Sequence, residues 1–226
     1  MPTCSLTTTL PRIIPFVNSS LTRHSTLAPH KFFLNGPAGR LEAVASDPGV
    51  QRRGIALVAH PHPLHGGTMD NKVVQTLAKA YAALGYLAVR MNFRGVGQSA
   101  GVYGEGLGET EDMLALAAHL KREAGELPIL LAGFSFGASV QARVAERLAV
   151  EKLVLVAPAI SHFDVGSVPA DTLVIHGEAD EVAPLAAVFD WARPLNLPVT
   201  VLPGVGHFFH GQLPLLKKIV MNSCHC

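Results

Sequence analysis

The segment Gly133-Phe134-Ser135-Phe136-Gly137 sets a serine hydroxyl between two residues that lack side chains. Pro128 to Ala132 before it is a short apolar run of strand character. After it, Ala138, Val140, Val144 and Leu148 read as a helix, so Ser135 falls at a strand-to-helix junction. A glycine-flanked serine in a turn is by itself an ordinary feature. At such a junction it gains a mechanical meaning, because a sharp elbow holds the serine in a strained conformation costing about 1 to 3 kcal/mol and lifts its hydroxyl clear of the sheet. The helix that follows turns its N-terminal amides and positive dipole end toward developing negative charge. The chemistry within reach of such a hydroxyl is attack on a carbonyl carbon.

A serine is a weak nucleophile at neutral pH and needs a base, usually an imidazole. The chain has 11 histidines, and position in the fold narrows them: groups that meet above a parallel sheet follow the carboxyl ends of its strands. After an apolar run ending at Ile175 comes His176-Gly177-Glu178-Ala179-Asp180-Glu181-Val182-Ala183-Pro184, and after the next run comes Pro203-Gly204-Val205-Gly206-His207. Asp180 and His207 are therefore the expected acid and base, with Asp180 holding the ring and stabilising its charged form. Glu178 and Glu181 are the fallback acids and His210 the competing base. An aspartate before a helical run also serves as an N-cap, the plainer role for Asp180.

His60-Pro61-His62-Pro63-Leu64-His65-Gly66-Gly67-Thr68 admits a second chemistry, since imidazoles close in sequence are common zinc ligands. The segment lacks the interleaved carboxylates of a dinuclear hydrolase, and its prolines hinder His60, His62 and His65 from converging. The more ordinary expectation is that His60 fixes the loop by hydrogen bonds while His65 lines the site entrance. Cys224-His225-Cys226 reads as a frayed end. Asn92-Phe93-Arg94-Gly95-Val96-Gly97-Gln98-Ser99 contains a lone G-x-G, too little to suggest a nucleotide site. No cofactor and no metal are expected.

Positioning these groups requires a sheet. Two short strands, Lys31 to Asn35 and Arg40 to Ala45, flank the turn Gly36-Pro37-Ala38-Gly39 as an antiparallel hairpin. Apolar strands then alternate with helical segments: Ile55 to Ala59, Leu87 to Met91, Ile129 to Ala132, Leu153 to Ala157, Leu173 to Ile175 and Val199 to Leu202. Val73, Val74, Leu77, Tyr81 and Leu84 form one amphipathic helix stopped by Gly85, and Met113, Leu114, Leu116, Ala117 and Leu120 a second before Gly125. Such alternation makes an α/β protein with a largely parallel sheet covered on both faces. One domain is expected over residues 31–222, after an N-terminal extension of residues 1–30 without Asp or Glu, and before a short tail at 223–226. The extension is expected to be unstructured, an organelle transit peptide being the alternative.

A chain of 226 residues with 49% hydrophobic residues can bury a sizeable core unaided. Its net charge of +1 is spread without runs, which points away from nucleic acid and from anionic membrane surfaces. Three cysteines at the chain ends suit a reducing compartment, and no apolar run approaches the roughly 20 residues that span a bilayer. A cytoplasmic location is the expectation; the oligomeric state is not legible.

Taken together, the order Ser, Asp, His, the G-x-S-x-G elbow, the acid loop with its HGxxDxxxP-like pattern, the PGxxHFF-like histidine loop and an RGxGxS loop at Arg94 to Ser99 resemble the α/β-hydrolase superfamily. In particular they are similar to its small bacterial lidless serine hydrolases with an HPHP segment. The likeness covers nearly everything after residue 30. It implies a three-layer fold around an eight-stranded sheet with one antiparallel strand, and a triad of Ser135, Asp180 and His207. It also implies an oxyanion hole in which, prolines being unable to donate, the backbone amides are those of His62 and Phe136. Only thirteen residues, Pro158 to Ala170, stand where many relatives insert a lid. An open site favours soluble substrates, with Leu64, His65, Phe134 and Phe208 as candidate substrate contacts and Phe136 and Phe209 completing an apolar wall. The expected reaction is hydrolysis of a small ester or thioester through an acyl-Ser135 intermediate. Peptidase, C–C bond hydrolase and acyltransferase chemistry share the machinery, and a metal-dependent hydrolase or a non-catalytic binding scaffold are the alternatives from other classes.

Overall fold

Every apolar run singled out above becomes a strand in the computed structural model, which describes residues 28–49, 51–163 and 165–224. The strands are β1 (His30–Gly36), β2 (Gly39–Ser46), β3 (Gly54–Ala59), β4 (Tyr86–Met91), β5 (Ile129–Phe134), β6 (Lys152–Val156), β7 (Leu173–Gly177) and β8 (Val199–Leu202). The helices are α1 (Lys72–Ala83), α2 (Leu107–Ala124), α3 (Phe136–Ala145), α4 (Leu185–Ala192) and α5 (Leu213–Ser223). One eight-stranded sheet runs in the order β1-β2-β4-β3-β5-β6-β7-β8, with β2 alone antiparallel to the rest. The fold is thus a three-layer α/β/α hydrolase fold. The extension expected over residues 1–30 lies outside the described residues as far as 27, and His30 already pairs in β1. At the other end α5 runs through Ser223, while residues 225 and 226 are outside the description.

Central strands are apolar on both faces, the pattern of a doubly covered parallel sheet. In β3, Ile55, Leu57 and Ala59 face the α2/α3 layer, and Ala56 and Val58 face the α1/α5 layer. In β5 the same alternation sends Leu131 to one layer and Leu130, Ala132 and Phe134 to the other. Helix α1 starts where the Asn71 side chain accepts the Val73 amide at 2.9 Å and stops at Gly85, whose φ of 90° suits glycine. From β3 the chain steps through α1 to β4, then crosses through α2 to β5 on the other side of β3. The direction of winding therefore reverses between β3 and β5, and their carboxyl ends border the crevice where ligands of such sheets bind.

Among the described residues, no lid stands over that crevice. Between β6 and β7, Ile160, Phe163, Val165 and Val168 pack onto the α2/α3 side of the core, and the Trp191 indole N–H holds the Val165 carbonyl at 3.0 Å. Opposite, Arg94 grips Asp112 of α2 in a two-pronged pair, both contacts 2.7 Å, with the carboxylate fully buried. Removing one partner of such a pair strands a buried charge. Asp112→Ala is expected to lower the unfolding free energy by about 3 to 5 kcal/mol in urea titrations; a loss under about 1 kcal/mol would show that water replaces the carboxylate at little cost.

Candidate active site

At the end of β5 the chain turns so sharply that Ser135 adopts φ 56° and ψ −119°, a region that non-glycine residues enter only at a cost. The turn is held from both sides: the Ser135 amide donates to the Val156 carbonyl of β6 at 2.9 Å, and its own carbonyl accepts the Ala138 amide at 3.0 Å. Both flanking glycines are required by contact. A Cβ on Gly133 would stand 2.2 Å from the Gly137 carbonyl, and one on Gly137 would stand 2.5 and 2.6 Å from the carbonyls of His60 and Ala59.

Loops after β7 and β8 bring Asp180 and His207 to this hydroxyl. His207 Nδ1–H donates to Asp180 Oδ2 over 2.7 Å, which leaves Nε2 free to accept the Ser135 hydroxyl at 3.0 Å. All three are buried, at 3 to 6% exposure, so these contacts are little diluted by solvent. Asp180 also performs the plainer turn-capping role, with its other oxygen: Oδ1 accepts the amides of Val182 and Ala183 at 2.9 and 2.8 Å. Burial alone would raise its carboxyl, but the bonds from His207 and the Ala183 amide outweigh it and hold the group below the ordinary aspartate range. Of the competing acids, Glu178 accepts the Gly204 amide at 2.8 Å. His210 is exposed and lies against Phe208, 5.9 Å between ring centres.

The segment after β3 is organised by its first histidine. The Phe93 amide donates to His60 Nε2 at 3.0 Å, so the ring proton sits on Nδ1 and is given to the Pro61 carbonyl at 2.7 Å. In a trans peptide the carbonyl and the next N–H point opposite ways, so gripping the Pro61 carbonyl also sets the direction of the His62 amide. The His62 carbonyl is held in turn by the amides of His65 and Gly67, at 3.1 and 3.0 Å. Among the described residues, neither the His62 amide nor the Phe136 amide has a protein acceptor.

With both nitrogens spent on backbone, His60 has no lone pair to offer a cation, and His62 Nδ1 accepts the Leu64 amide. The three histidines therefore do not converge as metal ligands. Burial also removes most of the expected apolar wall. Phe134, Phe136 and Phe209 are closed into the core: Phe134 lies 5.0 Å beneath the His207 ring, and Phe136 sits against His62, Phe93, Tyr103 and Phe163. Leu64 and Phe208 are exposed, as is His65, whose ring stacks on His62 at 4.5 Å. Sequence reasoning missed Tyr103, whose hydroxyl meets His62 Nε2 at 3.2 Å, and Gln141, whose amide bridges the Leu57 and Ala132 carbonyls of β3 and β5. It also passed over His176, 0% exposed behind Asp180. Only the HGxxD pattern around His176 carried any sign of these.

A serine hydroxyl at a strained elbow, hydrogen-bonded to an imidazole that is itself bonded to a carboxylate, on a sheet of this order, defines the class of α/β serine hydrolases. A family described as serine aminopeptidase, S33, matches residues 62–165, a stretch that contains the elbow but neither Asp180 nor His207. The chain is 32% identical over 217 residues to an uncharacterised protein of Rickettsia prowazekii, covering 84% of this chain and 86% of that one. An α/β serine hydrolase homologue from Coxiella burnetii superposes with a TM-score of 0.81 at 40% identity, over 86% of this chain and 97% of its own. A Xanthomonas campestris structure described as an α/β serine hydrolase without lid does so with a TM-score of 0.81 at 38% identity, over 86% and 93%. The chain belongs to the α/β serine hydrolases.

His60 makes stability depend on acidity. Burial pushes its imidazole down to about 4, against the raising effect of its bond to Pro61. An unfolded histidine protonates near 6.5, so the stability contributed by the neutral ring is complete above that value. It is lost as the pH falls through about 4, by roughly 3 kcal/mol in all. The urea midpoint of the wild type is expected to drop over this window, and His60→Asn to flatten that drop. Parallel slopes in the two proteins would show that another group carries it.

Proposed function

We propose that the protein hydrolyses small carboxylic esters or thioesters through an acyl-Ser135 intermediate, with His207 as general base and acid and Asp180 as the carboxylate that orients it. The observation that carries this reading is the continuous chain from Ser135 Oγ through His207 to Asp180 Oδ2 at 3.0 and 2.7 Å, set beside two amides without a protein acceptor among the described residues. In the acylation step Ser135 Oγ bonds to the carbonyl carbon while its proton passes to His207 Nε2. The carbonyl oxygen, now an anion, accepts the amides of His62 and Phe136 at the start of α3. Each donor of this kind contributes about 3 to 4 kcal/mol to the transition state. Collapse expels the leaving oxygen or sulfur, which takes the proton from His207. Water then attacks the acyl carbon, giving its proton to the same nitrogen, and Ser135 Oγ departs reprotonated. The carboxylate stays ionised throughout, in keeping with the hydrogen bonds that hold it below the usual aspartate range.

Support for a small, soluble substrate comes from the segment between β6 and β7, which packs into the core and leaves the crevice uncovered. Leu64, His65 and Phe208 are exposed and are the side chains proposed to contact the substrate. Cleavage of an amino-acyl amide is a second reading, favoured by the serine aminopeptidase description of the matching family.

A panel of p-nitrophenyl esters of rising chain length, run beside acyl-CoA thioesters and aminoacyl p-nitroanilides, separates these readings, with turnover expected on the short esters or thioesters. A fluorophosphonate probe should label Ser135 in the wild type and leave Ser135→Ala unmarked. His207→Ala and Asp180→Asn should each lower kcat by on the order of 10⁴-fold with circular dichroism unchanged. Labelling that persists in Ser135→Ala, or near-normal turnover in either of the other variants, would overturn the assignment.

A further inference from the structure

Behind Asp180, on the side away from a substrate, lies a second histidine with no role in the steps above. His176, the fourth residue of β7, is 0% exposed, and its Nε2 stands 2.8 Å from the Ala183 carbonyl and 3.4 Å from Asp180 Oδ2. A carbonyl can only accept, so the proton is on Nε2 and is given to Ala183; Asp180 Oδ2, 3.4 Å away, is an electrostatic neighbour of the ring and not its hydrogen-bond partner. Nδ1 is buried with no protein partner among the described residues. A proton there would be a desolvated donor facing nothing, so the ring is locked in one neutral tautomer, and burial disfavours its charged form in the same sense. The charged and titratable groups facing it are Asp180, from its own loop, and His207, from the loop after β8.

Ala183 is thereby held at both ends: its amide donates to Asp180 Oδ1 at 2.8 Å, and its carbonyl accepts from His176. The loop is closed into a ring of bonds that leaves Oδ2 facing His207. Resting on the reading of Ser135, His207 and Asp180 as catalytic, we infer that His176 is a positioning residue for the acid: its fixed Nε2–H holds the Ala183 carbonyl, and with it the loop that presents Asp180 Oδ2 to His207, while the polar edge of its ring lies 3.4 Å from that oxygen. The buried, unpartnered Nδ1 is the telling detail. A purely space-filling position would be served by an apolar residue without leaving a polar atom stranded, whereas a neutral donor at Nε2 requires an acceptor nitrogen at Nδ1.

Two variants and one spectrum test this. Phenylalanine fills similar space without a donor, and the side-chain amide of glutamine can place an N–H where Nε2 stands. His176→Phe is expected to lower kcat on p-nitrophenyl acetate by about 10- to 100-fold with KM within about threefold, the scale of a misplaced catalytic group. With the polar N–H gone from beside Oδ2, the negative charge of that oxygen acts more fully on His207 and favours its protonated ring, so the acid limb of kcat should move to higher pH. His176→Gln should restore kcat to within about threefold of the wild type and return the limb. In ¹⁵N-detected spectra of the wild type, His176 should stay neutral with its proton on Nε2 between about pH 7 and 9. A ring that titrates in that window, a proton on Nδ1, or a His176→Gln no better than His176→Phe would overturn the inference. So would a His176→Phe whose kcat and acid limb match the wild type. If His176→Phe fails to fold, the spectrum and the glutamine variant decide. Because the tautomer is read without turnover, failure of the Ser135 reading, seen as full activity in Ser135→Ala, remains distinct from failure of this one.

Discussion

One contact without room for a side chain governs the site. Gly137, in the first turn of α3, lies against the carbonyls of Ala59 and His60 at the end of β3, so closely that a single methyl group would collide with both. That approach joins the elbow of β5 to the loop that follows β3. The amides of His62 and Phe136, which have no protein acceptor among the described residues, sit one on each side of this junction. Strain at Ser135 is the other half of the bargain: a backbone at φ 56° persists because β6 holds its amide and α3 holds its carbonyl. Widening the gap by a Cβ would loosen the loop and the elbow together.

Around that junction the protein surrounds charge with neutral donors. Asp180 accepts two backbone amides and the His207 imidazole, with His176 3.4 Å from Oδ2, and the Arg94–Asp112 pair is satisfied within itself at the base of α2. His60 and His176 are both buried imidazoles whose protons go to backbone carbonyls, from Nδ1 in one and Nε2 in the other. Each tautomer follows from which nitrogen meets an acceptor, so the orientation of the loops and the protonation of the rings are one and the same constraint.

The sheet was legible in the sequence because its central strands are unbroken apolar runs. The starts of β3, β4 and β6 fall one residue earlier than periodicity alone suggests, since Gly54, Tyr86 and Lys152 pair in the sheet without extending the apolar pattern. Ser135, Asp180 and His207 could be picked out because each follows a strand and has a glycine within the three residues before it, the signature of a chain that must turn where it exits the sheet. Side-chain direction was the part that could not be read. Phe134 and Phe136 flank the serine symmetrically in the sequence, yet the alternation of β5 drives the first into the α1/α5 layer, and the first turn of α3 puts the second into the other. His176 sits among apolar strand residues, and its approach to Asp180 depends on how the three residues Gly177 to Ala179 turn, which the HGxxD pattern hints at but does not fix.

The segment between β6 and β7, which elsewhere could have grown into a cover, is tied down by Trp191 through its bond to the Val165 carbonyl. Trp191 is the chain's single tryptophan. Its ultraviolet emission is therefore an unmixed signal from one place, the half-buried seam where α4 meets the strap beneath the open crevice. A lone fluorophore thus stands where α4 meets the segment after β6, so a change at that joint can be watched optically in the unmodified protein.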